Sequence, residues 1–382
     1  MHVGNLLPLI VLLHSALYGH TALVLVGGAT GTVGDPSGRS TERPALKAEQ
    51  LQQNVAGIRA QMIQFFHNAA KYLERRGKIV PEASILADAA EDRAGNPLFR
   101  RGMDIRILDN LSWFQNVSFL EFLRRVGRFA RVNDMVARDS VKTRLGPVDG
   151  AERSDAPGLS FTEFAYQLMQ AHDFSVLHDN PWRCSVQVGG SDQMGNISAG
   201  IDLIRRQRAA NNPKSTMKDD PAYGLTIPLL TTESGAKFGK SAGNAVWISS
   251  EKCSDLDFYQ YFIRSADADV ARYLRSLTLL SQSEIEEILE EHAKDKSKRI
   301  AQTCLAEEMT ELVRGDDALQ RAQLATQILF SIKVRDLTLD QVRFAFDKDP
   351  RLMKRAVCYL VEDFMSMEYK SKTLKPNWTL SS

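Results

Sequence analysis

Apolar positions recur at helical spacing over residues 5–18 (Leu6, Leu9, Ile10, Leu13, Leu17), which predicts a buried helix at the start of the chain. Thr21 to Val26 (TALVLV) is a short run rich in branched residues that ends at Gly27-Gly28, the pattern of a buried parallel strand entering a loop. The next segment, 27–40, holds five glycines and one proline and cannot form a regular element. Helical spacing returns from Glu42 to about Arg76, with Leu46, Leu51, Val55, Ile58, Met62, Phe65 and Phe66 apolar. Residues 77–103 show no period and read as a surface insertion. Asp104 to Asn110 alternates as a second strand, and Trp113 to Arg131 reads as a helix with a stripe of Arg124, Arg125, Arg128 and Arg131. Residues 146–157 are a polar loop, Leu159 to Ala171 a helix, Ser185 to Val188 a third strand, Asn196 to Arg208 a helix and Leu225 to Leu230 a fourth strand.

Strands alternating with helices predict an α/β architecture with a parallel sheet, Rossmann-like, up to about residue 249. Strand signals then vanish. Residues 250–350 are charged and helical, and 351–382 read as one helix and a polar tail. The 382 residues include 48 Lys plus Arg against 47 Asp plus Glu, so a globally basic nucleic-acid coat is excluded while a local basic face is not. Four scattered cysteines without a CxxC pair argue against a disulfide framework or a structural zinc site. The apolar stretch Leu6 to Leu13 contains Pro8 and is too short to span a bilayer, so no membrane role is expected.

Five segments carry candidate chemistry. His2-Val3-Gly4-Asn5 stands directly before a helix, where a glycine lets a phosphate approach the backbone and the helix dipole favours negative charge. In the glycine-rich loop, Asp35 lies beyond the C-terminal end of a parallel strand, the ligand-binding edge of open α/β sheets, and could hold an ammonium group. That loop is neither a P-loop nor GxGxxG. Tyr166, Gln170 and Asp173 share one helix face among apolar neighbours, so they need polar partners that a zwitterionic ligand would supply. In QVGGSDQMGN (187–196) a strand ends in two glycines followed by Asp192 and Gln193, suited to ribose hydroxyls. Lys237-Phe238-Gly239-Lys240-Ser241 places two cations and a hydroxyl in a polar loop able to clamp a triphosphate.

Taken together these segments resemble a known family. His2-Val3-Gly4-Asn5 is similar to the HIGH motif of class I aminoacyl-tRNA synthetases, and Lys237 to Ser241 to their KMSKS motif. Within that class, GGATGTVGDPSGRS, the Tyr166/Gln170/Asp173 face and QVGGSDQMGN resemble tyrosyl-tRNA synthetase of the bacterial and mitochondrial, specifically fungal mitochondrial, branch, over about residues 2–345. The resemblance implies an enzyme that activates tyrosine with ATP and transfers it to tRNA(Tyr), with Mg²⁺ accompanying the nucleotide, a homodimer, and a place in the mitochondrial matrix (the cytoplasm if bacterial). It implies that His2, Gly4 and Asn5 contact ATP and that Lys237, Lys240 and Ser241 stabilise the leaving pyrophosphate. Asp35, Tyr166 and Gln170 would hold the tyrosine ammonium, Asp173 would accept from the phenol and Gln187 would line the pocket. Gly190, Asp192 and Gln193 would meet the ribose and the reacting carboxylate. A site built to hydrogen-bond a phenol rejects phenylalanine, a rule for which tyrosine-specific synthetases are themselves the standard case.

The sequence departs from the family at three points. Asn5 replaces the last His of HIGH. The family's strand and loop ahead of HIGH are not present, so the chain reads as truncated at its N-terminus, with the first strand of the sheet expected to be missing. Beyond Asp349-Pro350 the family's C-terminal RNA-binding module is not recognisable. Two alternatives remain open: a catalytically inactive RNA-binding protein on the same scaffold, of the kind that helps group I introns fold, and tryptophanyl specificity. The dimer interface is expected along Phe119 to Arg131, with Phe122 as its test position.

Overall fold

The structure is a computed structural model. It describes residues 1–37, 47–77, 84–86, 103–145, 158–211, 222–228, 230–231, 233, 238–241, 244–330, 337–347 and 349. The insertion (apart from residues 77, 84–86 and 103), the 146–157 loop, Lys237 and the 351–382 tail lie outside the described residues. The chain divides into two compact units, Gly4–Phe238 and Met1–Val3 with Gly239–Ser382.

In the first unit, α1 (Leu6–Leu17) precedes β1 (Ala22–Val26). Pro8 is tolerated because it lies in the first helical turn, where its missing N–H has no intrahelical partner to lose. Both α1 and α2 (Ala48–Arg75) pack on β1. The core here is Leu6, Ile10 and Leu13 of α1, Val24 and Val26 of β1, and Phe65 and Phe66 of α2, all nearly or wholly buried. A short strand, β2 (Ser84–Leu86), emerges within the segment that shows no period; three residues give too short a window for alternation to register. β3 (Asp104–Asp109) is central, with β1 and β2 both parallel to it in the order β1-β3-β2.

The expected single helix from Trp113 to Arg131 is instead broken into α3 (Leu111–Phe114), α4 (Phe119–Arg125) and a 3-10 turn, Gly127–Phe129. Ser118 causes the restart, its hydroxyl accepting the Glu121 N–H as an N-cap. Short helices α5 (Val132–Val136) and α6 (Asp139–Leu145) follow. Helix α7 (Phe161–His178) runs nearly two turns beyond the expected end and is capped by Ser160. β4 (Val186–Gly190) and β5 (Tyr223–Ile227) pair in parallel, with α8 (Met194–Asn211) between them in sequence.

The second unit contains a two-residue hairpin, β6 (Lys240–Ser241) and β7 (Asn244–Ala245), where a polar loop is expected. Six helices follow: α9 (Asp255–Ile263), α10 (Asp267–Leu277), α11 (Gln282–Lys294), α12 (Ile300–Arg314), α13 (Asp316–Phe330) and α14 (Leu339–Phe346). Helix α12 is central, packed by α9, α10, α11 and α13. Its buried positions therefore run nearly all round, including Gln302, Glu308 and Thr310. No described helix is long and apolar enough to cross a membrane.

Candidate active site

The C-terminal ends of β1 and β3 open the site. After β1 the chain turns at Gly27-Gly28, and the Gly28 N–H donates to Asp109 Oδ1 at 3.0 Å. A Cβ at Gly28 would lie 2.2 Å from that oxygen, so only glycine allows the approach. Gly34, at φ +86°, turns the loop back so that Asp35 follows. After β3, Asn110 is wholly buried. Its Oδ1 accepts the Ala29 N–H at 2.7 Å, and its Nδ2 donates to Thr30 Oγ1 and to Asp173 Oδ2, both at 3.0 Å. Asp173 Oδ1 accepts from Trp113 Nε1 at 2.9 Å. The carboxyl is thus aimed by two donors, and each oxygen keeps a lone pair for a ligand. Burial pushes the Asp173 carboxyl up to about 7, and the charge of Asp109 acts the same way, against the pull of the Asn110 and Trp113 hydrogen bonds.

A second cluster surrounds Asp35. Its Oδ2 accepts from Gln193 Nε2 at 2.8 Å and its Oδ1 from the Ser37 N–H at 2.9 Å. Asn196 Nδ2 reaches Gln170 Oε1 at 3.0 Å and Asp35 Oδ1 at 3.4 Å. Gln170 Nε2 faces Gln187 Oε1 at 3.5 Å. The structure therefore brings Asp35, Gln170, Gln187 and Gln193 into one network. Tyr166 is half-buried on α7, one turn before Gln170. Gly190 ends β4, and exposed Asp192 stands on the following 3-10 turn, its Oδ2 accepting from Gln193 Nε2 at 3.3 Å.

Sequence reasoning assigned the polar partners of α7 to a ligand, whereas the protein supplies several itself. The most buried positions of the helix are largely polar: Glu163 forms a bidentate pair with Arg144, and Gln167 accepts from Arg138 at 2.6 Å. Phe164, Ala165 and Leu168 are only half-buried. It also missed Asn110, Trp113, Thr30 and Asn196. Asn110 ends the second predicted strand at the ligand-binding edge of the sheet, and Trp113 follows three residues later on the same face, a signal that was available.

In the other unit, His2 forms an antiparallel bridge with Trp247, and the rings of the two meet edge-on at 6.5 Å. Val3 N donates to Val246 O at 2.9 Å and Ile248 N to Met1 O at 3.0 Å. Val246 N donates to Gly239 O at 2.8 Å, and β6 pairs with β7 through Lys240 and Ala245. Residues 245–248 thus join the HIGH-like start to the Lys240-Ser241 hairpin. Arg314 fixes this strand from α12, donating to Ile248 O at 3.1 Å, Trp247 O at 3.0 Å and Asp255 Oδ1 at 2.9 Å. Arg321 holds the other Asp255 oxygen at 2.8 Å. Gly4 and Asn5 close the 3-10 turn ahead of α1 and are exposed.

Parallel strands in two described sheets with these polar clusters at their C-terminal ends, followed by a helical unit, match the fold of a class I aminoacyl-tRNA synthetase. The chain belongs to the tRNA synthetases class I (W and Y), whose family model matches residues 1–331. It is 38% identical over 352 residues to the tyrosine–tRNA ligase of Levilactobacillus brevis, covering 92% of this chain and 72% of that one. With the tyrosine–tRNA ligase of Listeria monocytogenes serotype 4a (strain HCC23) the identity is 39% over 350 residues, with the same coverage of 92% and 72%. Among solved structures it is similar to a C-terminally truncated Aspergillus nidulans mitochondrial tyrosyl-tRNA synthetase, at TM-score 0.71 and 35% identity over 86% of this chain and 82% of that one. The corresponding Coccidioides posadasii mitochondrial enzyme gives TM-score 0.67 and 34% identity over 84% and 79%.

Proposed function

We propose that this chain is a tyrosine–tRNA ligase of mitochondrial translation. The observation that carries the reading is the buried Asp173 carboxyl, aimed by Asn110 and Trp113 beyond the C-terminal end of β3. A phenol O–H donates to one of the lone pairs these two bonds leave free, and a phenyl ring leaves that lone pair unfilled. Asp35, Tyr166 and Gln170 hold the ammonium, with Gln187 beside them and Asn196 fixing the amides. The tyrosine carboxylate then attacks the α-phosphorus of ATP, a bond to the β-phosphate oxygen breaks, and pyrophosphate leaves. His2, Gly4 and Asn5 contact the nucleotide. Gly190, Asp192 and Gln193 meet the ribose and the reacting carboxylate, and Lys237, Lys240 and Ser241 neutralise the leaving group. The tRNA terminal ribose hydroxyl next takes the tyrosyl group. No protein nucleophile is needed; positioning and charge stabilisation supply the rate.

Among the described residues no group of three His, Cys, Asp or Glu side chains suits a metal ion. In this reading Mg²⁺ accompanies the nucleotide phosphates, and no step here runs through it. Residues 1–249 are read as the catalytic domain and 250–350 as the domain on the anticodon side of tRNA. A homodimer is supported by exposed apolar side chains on the first unit: Phe119 (62% exposed) and Leu120 (71%) on α4, and Phe161 (69%) at the start of α7. Phe122 faces inward instead, its ring 5.9 Å from His172 and 6.3 Å from Phe114, so it tests packing and not association. Leu120→Asp should give monomers on sedimentation; an unchanged dimer removes this placement.

The decisive assay is tyrosine-dependent ATP–pyrophosphate exchange, with Lys240→Ala as control. Exchange that the substitution abolishes establishes the ligase. Absence of exchange, with RNA binding retained in Lys240→Ala, would point to an inactive RNA-binding protein on the same scaffold.

A further inference from the structure

Helix α7 is fixed by different means along its length. In its second half Ala171, Phe174 and Leu177 are buried. Phe174 packs so closely on α8 that a Cβ at Gly200 would lie 2.8 Å from its ring. That half carries Asp173. Over 161–170, which carries Tyr166 and Gln170, only Glu163 and Gln167 are buried, and Phe164, Ala165, Leu168 and Met169 are half-buried. Apolar contact is non-directional, so it leaves the rotation of these first turns loosely set.

Two arginines supply the missing direction. Arg144 in α6 donates from Nη1 and Nη2 to the two Glu163 carboxylate oxygens at 3.2 and 2.8 Å. Arg138, just ahead of α6, donates to Gln167 Oε1 at 2.6 Å. The arginines run from 138 to 144 while their partners run from 167 to 163, so the two contacts form an antiparallel ladder along α7. Gln167 is also tied to its own helix, its Nε2 donating to Phe164 O at 3.1 Å. The Arg138 stem reaches the first turn of α8 as well: a Cβ at Gly195 would lie 3.7 Å from its Cδ, one residue before Asn196. The Arg144 and Glu163 side chains are 1% and 3% exposed, and Arg144 Nε has no hydrogen-bond partner among the described residues. A buried pair that strands a donor is a poor source of stability; what it can add is a defined geometry.

We propose that Arg144 and Arg138 are positioning residues for the ammonium end of the proposed amino-acid site, a role that rests on the ligase reading. They hold the first turns of α7 so that Tyr166 and Gln170 stay in register with Asp35 and Asn196. A helix turned by about 10° carries an atom about 5 Å from its axis through about 1 Å. That takes Gln170 Oε1, 3.0 Å from Asn196 Nδ2, out of hydrogen-bond range. Asp173, set by packing in the second half and by Asn110 and Trp113, keeps its place.

The test compares the full chain with Arg144→Met/Glu163→Met and with Gln167→Met. The double variant exchanges the ion pair for apolar side chains, so its thermal melt stays at or above that of the wild type. Its KM for tyrosine in ATP–pyrophosphate exchange rises about tenfold, the effect of one weakened hydrogen bond to a charged group. Because that bond is made equally before and during reaction, kcat holds, and so does the KM for ATP. Competitive inhibition by 3-(4-hydroxyphenyl)propionate, which has the phenol and lacks the ammonium, is unchanged. Gln167→Met moves the KM for tyrosine in the same direction by a smaller factor. A double variant that melts like the wild type and keeps its KM for tyrosine overturns the proposal, as does a fall in kcat with that KM unmoved. If the double variant does not fold, Gln167→Met decides on the same readings. If the wild type shows no exchange, the ligase reading fails, and calorimetry with tyrosine decides the positioning role. A dissociation constant raised about tenfold by the double variant supports it, and an unchanged one, or no binding to the wild type, overturns it.

Discussion

The regions proposed to bind tyrosine and ATP, one in each compact unit, are built by different means. The proposed amino-acid site in Gly4–Phe238 is a side-chain structure: Asn110 and Trp113 aim Asp173, and in a second cluster Asn196 reaches Asp35 and Gln170. The region proposed for the nucleotide, in the other unit, is a main-chain structure. There Met1, Val3, Gly239, Val246 and Ile248 pair backbone to backbone, and Arg314 grips two carbonyls of that strand. The contrast suits the substrates. Tyrosine must be told from its analogues by the placement of a few polar atoms, which only specific side chains provide. A triphosphate is recognised by charge and backbone approach, for which pairing geometry matters more than residue identity.

The largest effect that can break this comparison is at Asp173. Asp173→Ala removes the phenol acceptor and leaves the Asn110 and Trp113 donors facing a void. Tyrosine-dependent exchange should fall on the order of 100-fold, because a hydrogen bond to a charged group is worth about 1.5–3 kcal/mol, while the two stranded donors cost stability instead. ATP binding measured without tyrosine should not change. A loss shared equally by both substrates would mean that the two halves are not separately built.

The same carboxyl carries a pH signature. Its folded pKa of about 7 lies above the ordinary value of 3.8, so the folded state holds a proton that the unfolded state has released. Stability from this group is therefore full below about pH 4 and lost as pH rises to about 7, on the order of 4 kcal/mol in total at about 1.4 kcal/mol per pKa unit. Denaturant melts of Asp173→Asn should lack that component, so the variant gains on the ligand-free wild type between pH 4 and 7. Parallel stability curves for the two proteins would contradict the assignment. Tyrosine binding, which needs the ionised acceptor, should strengthen over the upper part of the same range.

On the nucleotide side the largest effect is at Arg314. Arg314→Met frees the Trp247 and Ile248 carbonyls and half-strips the buried Asp255. Asp255 keeps Arg321, so the loss sits at the lower end for a broken buried pair, about 3 kcal/mol. The melt should shift by that amount and the KM for ATP should rise, with the KM for tyrosine unmoved.

The same division explains what could be read from the sequence. Asp35, Tyr166, Gln170, Asp173 and Gln193 stand out in the sequence as candidates because polar residues at strand ends or among apolar neighbours demand partners, and the structure gives side-chain hydrogen bonds to Asp35, Gln170, Asp173 and Gln193. The alternation and helical periods likewise locate β1, β3, α1 and α8. The pairing of Val3 with Val246 is not legible, since 242 residues intervene and any side chain would permit it. Nor is the break at Ser118, where a cap interrupts an apolar pattern that runs on unchanged. Asn110 is the intermediate case: the strand end marked it, yet its task is to serve another side chain.

The smallest test falls on the one described place where a side chain enters the backbone pairing of the hairpin. The Tyr261 hydroxyl accepts the Gly239 N–H at 2.9 Å, and Gly239 holds φ +88°, a conformation that other residues resist. Burial pushes this phenol up to about 12, so it remains protonated throughout the working range. Tyr261→Phe keeps the ring packed against Phe262 and strands a single N–H, a cost of about 1 kcal/mol. If the hairpin is positioned by its backbone, that loss should appear as a KM for ATP raised about fivefold. The KM for tyrosine and the rejection of phenylalanine should stay as they are. An effect on phenylalanine rejection would show instead that the hairpin shapes the amino-acid pocket, and the separation of side-chain recognition from main-chain recognition would no longer hold.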